Sequence, residues 1–262
     1  MRNDKLTEDK TTGQFLSSHD ENGFLAMRLS GDEGLFKVAA TLQLTAKGQP
    51  VIYYGEEIGL SGKNAGNMDN GEFSENRYDF DWSKVESNSM LDHYKKLLTI
   101  RNENTDIFTK GTRKSIYANK DNGISIFERE YNGEFIITFV NIGEMEQTIT
   151  FSKSSGSARV DNIYANKELE AKNDISYELL IPSKNDGGTT IIKTDSSIKD
   201  VNIIDIAQDD ENNTDQNETS NDEKLDDSDK QSVFRFEWIL IAIVIVAILF
   251  VIVRYFKHLN KK

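Results

Sequence analysis

Two places in the chain set chemically capable side chains next to each other. Phe15-Leu-Ser-Ser-His-Asp20 ends a short apolar run in an imidazole and a carboxylate. Gln49-Pro-Val-Ile-Tyr-Tyr-Gly-Glu-Glu-Ile-Gly59 ends a second run in two tyrosines and two carboxylates. Paired carboxylates are the groups that general acid–base chemistry draws on. Glu56 and Glu57 are adjacent, however, and successive residues of an extended chain point to opposite sides, so they are not expected to face one bond. A lone His-Asp pair most often caps a strand or satisfies a turn. Its surroundings therefore decide what His19 and Asp20 do.

Between the two runs, Gly34 to Lys47 carries Leu35, Val38, Ala39, Leu42 and Ala46 at spacings of three and four, which predicts an amphipathic helix. Gly48 is the expected cap and Pro50 the start of the next strand. Phe15–His19 and Val51–Tyr54 read as short buried strands. The unit is strand–helix–strand, with its functional groups at the carboxyl ends of the strands, where barrel and doubly wound enzymes place their sites. Residues 60–88 are rich in Gly, Asn, Asp, Glu and Ser and read as a long loop. Ser89 is the expected N-cap of a second helix built on Met90, Leu91, Tyr94, Leu97, Leu98 and Arg101 and ending near Asn104. His93 on that helix reads as a surface or packing histidine.

From Thr112 the period changes to two. Ile116–Tyr117, Ile124–Glu130, Glu134–Asn141, Gln147–Phe151, Ala158–Tyr164, Tyr177–Ile181 and Thr190–Lys193 are β-rich segments, with turn residues such as Tyr131-Asn-Gly133 between them. They predict an antiparallel sandwich. The expected organisation is α/β plus all-β. Residues 1–105 form the first part, 106–195 the sandwich, 196–233 an acidic linker, 234–256 a membrane-spanning helix and 257–262 a basic tail.

The linker is crowded with acids from Asp205 to Asp229, against Lys224 and Lys230, and reads as a self-repelling spacer. Trp238 to Val253 is an uninterrupted apolar run, and with Phe234, Phe236, Tyr255 and Phe256 it reaches the ~20 residues a helix needs to cross a bilayer. Arg254, Lys257, Lys261 and Lys262 follow it, so the positive-inside rule puts the tail in the cytoplasm and the folded part outside, at the plasma membrane. Met1 to Lys5 opens no signal peptide, which conflicts with that topology and suggests that Met1 is not the natural start. The net charge of −13 excludes nucleic acid as a partner. The absence of cysteine excludes thiol catalysis, thiolate metal sites and disulfides.

In order along the chain, the His19-Asp20 motif, the helix, Gln49 to Leu60, Arg77-Tyr-Asp-Phe-Asp-Trp82 and the β-rich region resemble the alpha-amylase superfamily of glycoside hydrolases (family 13). The resemblance covers about 190 residues. It implies the last two βα units of a (β/α)8 TIM barrel followed by the family's C-terminal sandwich. It assigns Asp20 to stabilising the positively charged transition state of a retaining hydrolase and His19 to hydrogen bonding the sugar, with Tyr54 and Arg77 as further substrate-binding residues. It makes Glu56 and Glu57 structural or cleft-edge acids.

The family's nucleophile Asp, in a Gly-Phe-Arg-x-Asp-like strand end, and its general acid Glu precede the His-Asp motif, and neither fits in the residues before Phe15. Arg77-Tyr-Asp79 mimics Arg-x-Asp but follows polar Glu75-Asn76 rather than an apolar strand. The implied protein is the C-terminal fragment of a cell-surface α-glucan hydrolase, inactive alone, left by an incomplete or interrupted gene; a second alternative makes it one chain of a split enzyme whose partner supplies the missing barrel strands. Its substrate would be an α-glucan or malto-oligosaccharide. No metal or cofactor is assigned, calcium being held by the family in parts that precede these. The first alternative is a membrane-tethered, non-catalytic glycan-binding module, with Tyr53, Tyr54, Phe73, Tyr78 and Trp82 stacking on sugar rings, although packing roles are expected for most of them.

Overall fold

The computed structural model describes residues 10–63, 75, 77–156, 159–173 and 175–204, which belong to one compact unit. Strand β1 (Gly13–Gln14) pairs in parallel with β2 (Gln49–Pro50). A short π-helical turn, Phe24–Arg28, and helix α1 (Glu33–Thr45) lie between them. Asp32 caps α1, its side chain accepting from Leu35 N at 2.9 Å. Gln43 on α1 then donates to Gln14 O and to Val51 O, at 2.9 and 3.0 Å, so one amide clamps both strands to the helix.

The strands lie earlier than the sequence indicated. Pairing ends at Gln14 and Pro50, and Phe15 and Val51 are 52% and 48% exposed rather than buried. The cause is the sheet itself. Its two strands have no further neighbour among the described residues, and a parallel pair is buried only where other layers cover it.

Helix α2 (Ser89–Glu103) is followed directly by α3 (Thr105–Lys110). The N-cap of α2 is Asn88, not Ser89: Asn88 Oδ1 accepts from Met90 N and Leu91 N. Ser89 instead accepts from Lys37 Nζ at 2.9 Å, which joins α2 to α1.

Ten strands follow: β3 (Thr112–Asn119), β4 (Ile124–Tyr131), β5 (Glu134–Asn141), β6 (Gln147–Lys153), β7 (Asp161–Asn162), β8 (Lys167–Glu168), β9 (Ala171–Asn173), β10 (Ser176–Ile181), β11 (Thr189–Thr194) and β12 (Ile198–Ile204). They form a six-stranded sheet in the order β3-β4-β5-β11-β7-β8 and a four-stranded sheet in the order β12-β6-β10-β9. All pairings within these two sheets are antiparallel. The β4–β5 turn is Asn132-Gly133, both residues at positive φ (52° and 79°), as a two-residue hairpin requires. Strand β12 occupies residues that the sequence gave to the acidic linker, and α3 occupies the expected start of the sandwich.

The central strands of the six-stranded sheet, β4, β5 and β11, are buried on both faces, and its edge strands β3 and β8 are largely exposed. Ile137, Phe139 and Ile192 pack with Ile149, Phe151, Tyr177 and Leu179 of the other sheet. Their neighbours Ile136 and Ile191 pack with Phe36, Leu44, Tyr94, Leu97 and Phe108 of the helices. The layers are therefore helices, six strands and four strands. Arg129, buried on β4, donates to Ile107 O, Phe108 O and Gly111 O and holds the end of α3 against the sheet.

Of the two roles the sequence left open for His93, surface or packing, the structure shows packing. The ring is buried where α1, α2 and the sheet meet. Its Nε2 lies 2.8 Å from Lys37 O and 3.1 Å from Thr41 Oγ1, and its Nδ1 lies 2.6 Å from the Tyr164 hydroxyl. A carbonyl only accepts, so Nε2 carries the proton and Nδ1 accepts from Tyr164.

Phe73, the linker from Asp205 to Lys230, the span 234–256 and the tail 257–262 lie outside the described residues. Among the described residues no helix is long and apolar enough to cross a membrane.

Burial lowers the His93 pKa from 6.5 to about 4. The folded state therefore refuses a proton that the unfolded chain accepts, and this group's stability is present above pH 6.5 and lost as pH falls towards 4. Replacing His93 by Gln removes that loss. Urea unfolding of the full chain should show the variant gaining about 3 kcal/mol on the wild type between pH 6.5 and 4. A difference that does not move with pH would mean the ring is not held neutral.

Candidate active site

The carboxyl ends of β1 and β2 carry the site. The chain runs on from β1 through Phe15 and Leu16 to Ser17, Ser18, His19 and Asp20, and from β2 to Tyr53 and Tyr54. Three of the four residues singled out from the sequence meet there. His19 Nε2 lies 3.1 Å from Asp20 Oδ2, and Arg77 Nη2 donates to Asp20 Oδ1 at 3.1 Å. Each carboxylate oxygen of Asp20 thus has its own partner, although Asp20 and His19 remain more than half exposed. The Asp20 N–H donates to Ser18 Oγ at 3.3 Å, which turns the chain at the strand end.

Tyr54, the fourth residue, does not touch Asp20 through any contact described here. It sets its ring edge-on to Tyr53, 4.8 Å between centroids, and donates its hydroxyl to Tyr78 O at 2.7 Å. Tyr53 links it to the rest. Burial raises the Tyr53 pKa, Tyr54 raises it further, and Arg77 and Asp20 pull on it in opposite directions. A cavity of about 20 Å³, room for one water, lies between Ser17, Ser18, Tyr53, Tyr54, Ser61 and Tyr78.

Below the surface the two strand ends are laced by Glu56. The argument from extended geometry does not hold for this residue: Glu56–Ile58 is a 3-10 turn, flanked by Gly55 and Gly59 in the left-handed region. Those φ values (88° and 76°) favour glycine at both positions. The turn aims Glu56 inward, where it is 1% exposed. Its Oε2 accepts from Tyr53 N at 3.1 Å, and the Ser17 hydroxyl and N–H also bond the carboxylate. Ser17 Oγ in turn accepts from Phe24 N at 3.1 Å.

Sequence reasoning missed Ser17 and Ser61, and it named Tyr53 and Tyr78 only as candidate stacking rings of a non-catalytic module. Ser17 carried one available signal, a polar residue inside an apolar run, which needs a buried partner.

The arrangement presents an anionic group, fixed by a guanidinium and an imidazole, to an open face beside aromatic rings. Such a carboxylate can stabilise positive charge developing on a bound molecule. His19 and Arg77 can donate to hydroxyl oxygens. Among the described residues no group of three or more acidic or histidine side chains is placed to hold a metal ion.

Residues 1–85 match the family described as alpha amylase, catalytic domain. Cyclomaltodextrinase of Thermoanaerobacter pseudethanolicus is 31% identical over 169 residues, 62% of this chain and 26% of that protein. Neopullulanase 2 of Thermoactinomyces vulgaris is 28% identical over 159 residues, 60% of this chain and 26% of that protein. The chain spans about a quarter of the length of these two curated relatives. Among solved structures, the alpha-amylase of H. orenii superposes with a TM-score of 0.53 at 27% identity, over 69% of this chain and 39% of that one. An Anoxybacillus alpha-amylase gives 0.56 at 20% identity, over 71% and 38%, a likeness of fold alone.

Burial pushes the Glu56 carboxyl up to about 7, against the hydrogen bonds from Ser17 and Tyr53 and with help from Glu57. A raised carboxyl contributes stability below its unfolded pKa of 4.5 and loses it as pH rises through 7. Glu56→Gln should therefore gain about 3 kcal/mol on the wild type between pH 4.5 and 7, read by urea unfolding. A constant difference across that range would show the carboxyl to be ionised throughout.

Proposed function

Since the chain belongs, through residues 1–85, to the alpha-amylase superfamily of glycoside hydrolases, we propose that it is the substrate-stabilising end of a retaining α-glucan hydrolase. The observation that carries this reading is Asp20, held between His19 and Arg77 at a strand end and still open to solvent. Retaining hydrolysis uses a nucleophilic carboxylate and a general acid roughly 5–5.5 Å apart, and positive charge builds on the sugar as the bond breaks. Asp20 would sit against that charge. Arg77 would restrain the carboxylate, and His19 would hydrogen bond a sugar hydroxyl. Tyr54 would line the same face.

Support for the substrate class comes from the relatives. Solved neighbours include an alpha-amylase complexed with acarbose and AmyP in complex with maltose. A malto-oligosaccharide fits a site of neutral aromatic rings and hydrogen-bonding groups on a chain of net charge −13.

The reading further has the barrel completed by strands that carry the nucleophile Asp and the acid Glu, neither of which the sequence motifs of this chain supply. It also has the folded part held outside the cell by 234–256, on the strength of the apolar run and the basic residues after it.

The test is hydrolysis of maltoheptaose by the full chain, alone and mixed with a polypeptide that supplies the nucleophile and acid strands from the adjoining reading frame. The expected result is silence alone and turnover on mixing. Asp20→Asn should then lower kcat by about 10²–10³-fold, the usual effect of removing one electrostatic stabiliser. Turnover by the chain alone would overturn the assignment of roles.

A further inference from the structure

Asp20 is more than half exposed, and an exposed carboxylate takes its position from the backbone beneath it. That backbone is the loop from Ser17 to Phe24, and the loop is closed at its base. Ser17 Oγ accepts from Phe24 N at 3.1 Å. Gly23 N donates to Gly62 O at 2.8 Å and Ala26 N donates to Ser61 Oγ at 3.0 Å, which fastens the far side of the loop to the chain after β2. The approach is close: a Cβ added to Gly23 would come within 2.0 Å of Ser61 Oγ.

Glu56 lies where this base meets the second strand end. Its carboxyl group takes the Ser17 hydroxyl and N–H from one strand end and the Tyr53 N–H from the other. The Ser17 hydroxyl passes the link on, since it donates to Glu56 and accepts from Phe24. The turn that aims Glu56 inward is itself tightly packed. A Cβ on Gly55 would meet the Leu60 side chain at 2.6 Å.

The charged and titratable neighbours of Glu56 are Glu57 on its own turn and Tyr94 on α2, and none of the groups acting on it is a cation. Glu56 Oε1, Glu57 Oε2 and the Tyr94 hydroxyl are buried without a hydrogen-bond partner among the described residues. A carboxyl group in such surroundings is held neutral, so it supplies hydrogen-bond geometry rather than charge. A buried acid with an unpartnered oxygen lowers stability, and such groups concentrate at functional sites.

We propose that Glu56 is a positioning residue of the candidate active site, setting the loop that carries His19 and Asp20 against the segment that carries Tyr53 and Tyr54. The proposal rests on the reading of that site as hydrolytic and adds to it a residue that acts through Asp20 from below. Without Glu56 the donors of Ser17 and Tyr53 are left buried and unpaired, and both strand ends shift to relieve them. A displacement of about 1 Å at a reacting group can lower a rate by about 10²-fold.

The experiment is a double-mutant cycle in the mixed hydrolysis assay with maltoheptaose. Glu56→Ala should lower kcat by about 10²-fold in the otherwise unchanged chain. In the Asp20→Asn background it should lower kcat by no more than about twofold further, because a group that acts through Asp20 has no carboxylate left to place. Glu56→Gln keeps an acceptor oxygen and should recover most of the rate. A second readout needs no turnover. In the full chain labelled with 13C-histidine, the His19 ring signal, assigned by its loss in His19→Gln, should be displaced in Glu56→Ala and stay in place in Glu56→Gln. If circular dichroism shows Glu56→Ala unfolded, Ser17→Ala replaces it in both measurements.

Equal losses in the two backgrounds, or no loss in either, would overturn the positioning role and keep the hydrolase reading. A mixture without turnover would remove the hydrolase reading, and the His19 signal would then decide alone. A displaced signal keeps Glu56 as the residue that positions the loop, and an unmoved one overturns it.

Discussion

A sheet with apolar side chains on both faces has to be covered twice, and that constraint organises the rest of the molecule. On β5 and β11 isoleucines come in adjacent pairs, Ile136 with Ile137 and Ile191 with Ile192. Strand geometry sends the members of a pair to opposite faces. One member of each joins the core shared with the four-stranded sheet and the other joins the helical core. The helices therefore have a fixed floor, and the small parallel pair inherits its position from them. Without that floor two strands of two residues each would not hold a site, since an isolated two-stranded sheet is marginal in water.

Buried polar groups transmit the position from floor to site. Arg101 on α2 donates to Leu44 O, Ala46 O and Gly48 O, the carbonyls that the end of α1 and the following turn leave unsatisfied. One cation thus neutralises a helix C-terminus and fixes where β2 begins. Gly48 takes a φ of 119° in that turn, a conformation side chains resist. At the other end of α1, Lys184 bridges Asp32 and Glu144, which locks the helix start to the β-rich region. Gln43 then carries the helix position to both strands at once.

The elements legible in the sequence were those whose burial pattern repeats. Helices α1 and α2 showed their apolar faces at spacings of three and four, and the β4–β5 hairpin announced itself through Asn132-Gly133. Helix α3 did not, because six residues are too few to establish a period and its restraint comes from distant Arg129. Strand β12 was missed because Lys199, Asp200 and Asn202 face outward between Ile198, Val201 and Ile203, and charge next to an acidic stretch reads as linker. In the site, Asp20 and His19 were visible as neighbours in a motif. Arg77 entered only through the resemblance, as a substrate-binding residue, and its contact with Asp20 across 57 residues of sequence was not foreseen. The inward turn of Glu56 depends on two left-handed glycines and a hydroxyl 39 positions away, and no local pattern encodes it.

The same physical cause, desolvation, acts on Glu56 at the strand ends and on His93 in the helix–sheet seam, with opposite consequences for proton uptake. Between about pH 4.5 and 6.5 the folded chain holds a proton on Glu56 that the unfolded chain has released. Over the same interval the unfolded chain holds one on His93 that the folded chain refuses. The proton counts of the two states then match for this pair, and the slope of stability with pH from the pair vanishes. Each group by itself would tilt the curve by about 1.4 kcal/mol per pH unit. Two buried titratable groups in separate parts of the core thus cancel each other's contribution to the pH dependence of stability across this interval. The compensation is thermodynamic and needs no contact between them. It stays hidden until one of the two is replaced, because only then do the proton counts of the folded and unfolded chain differ.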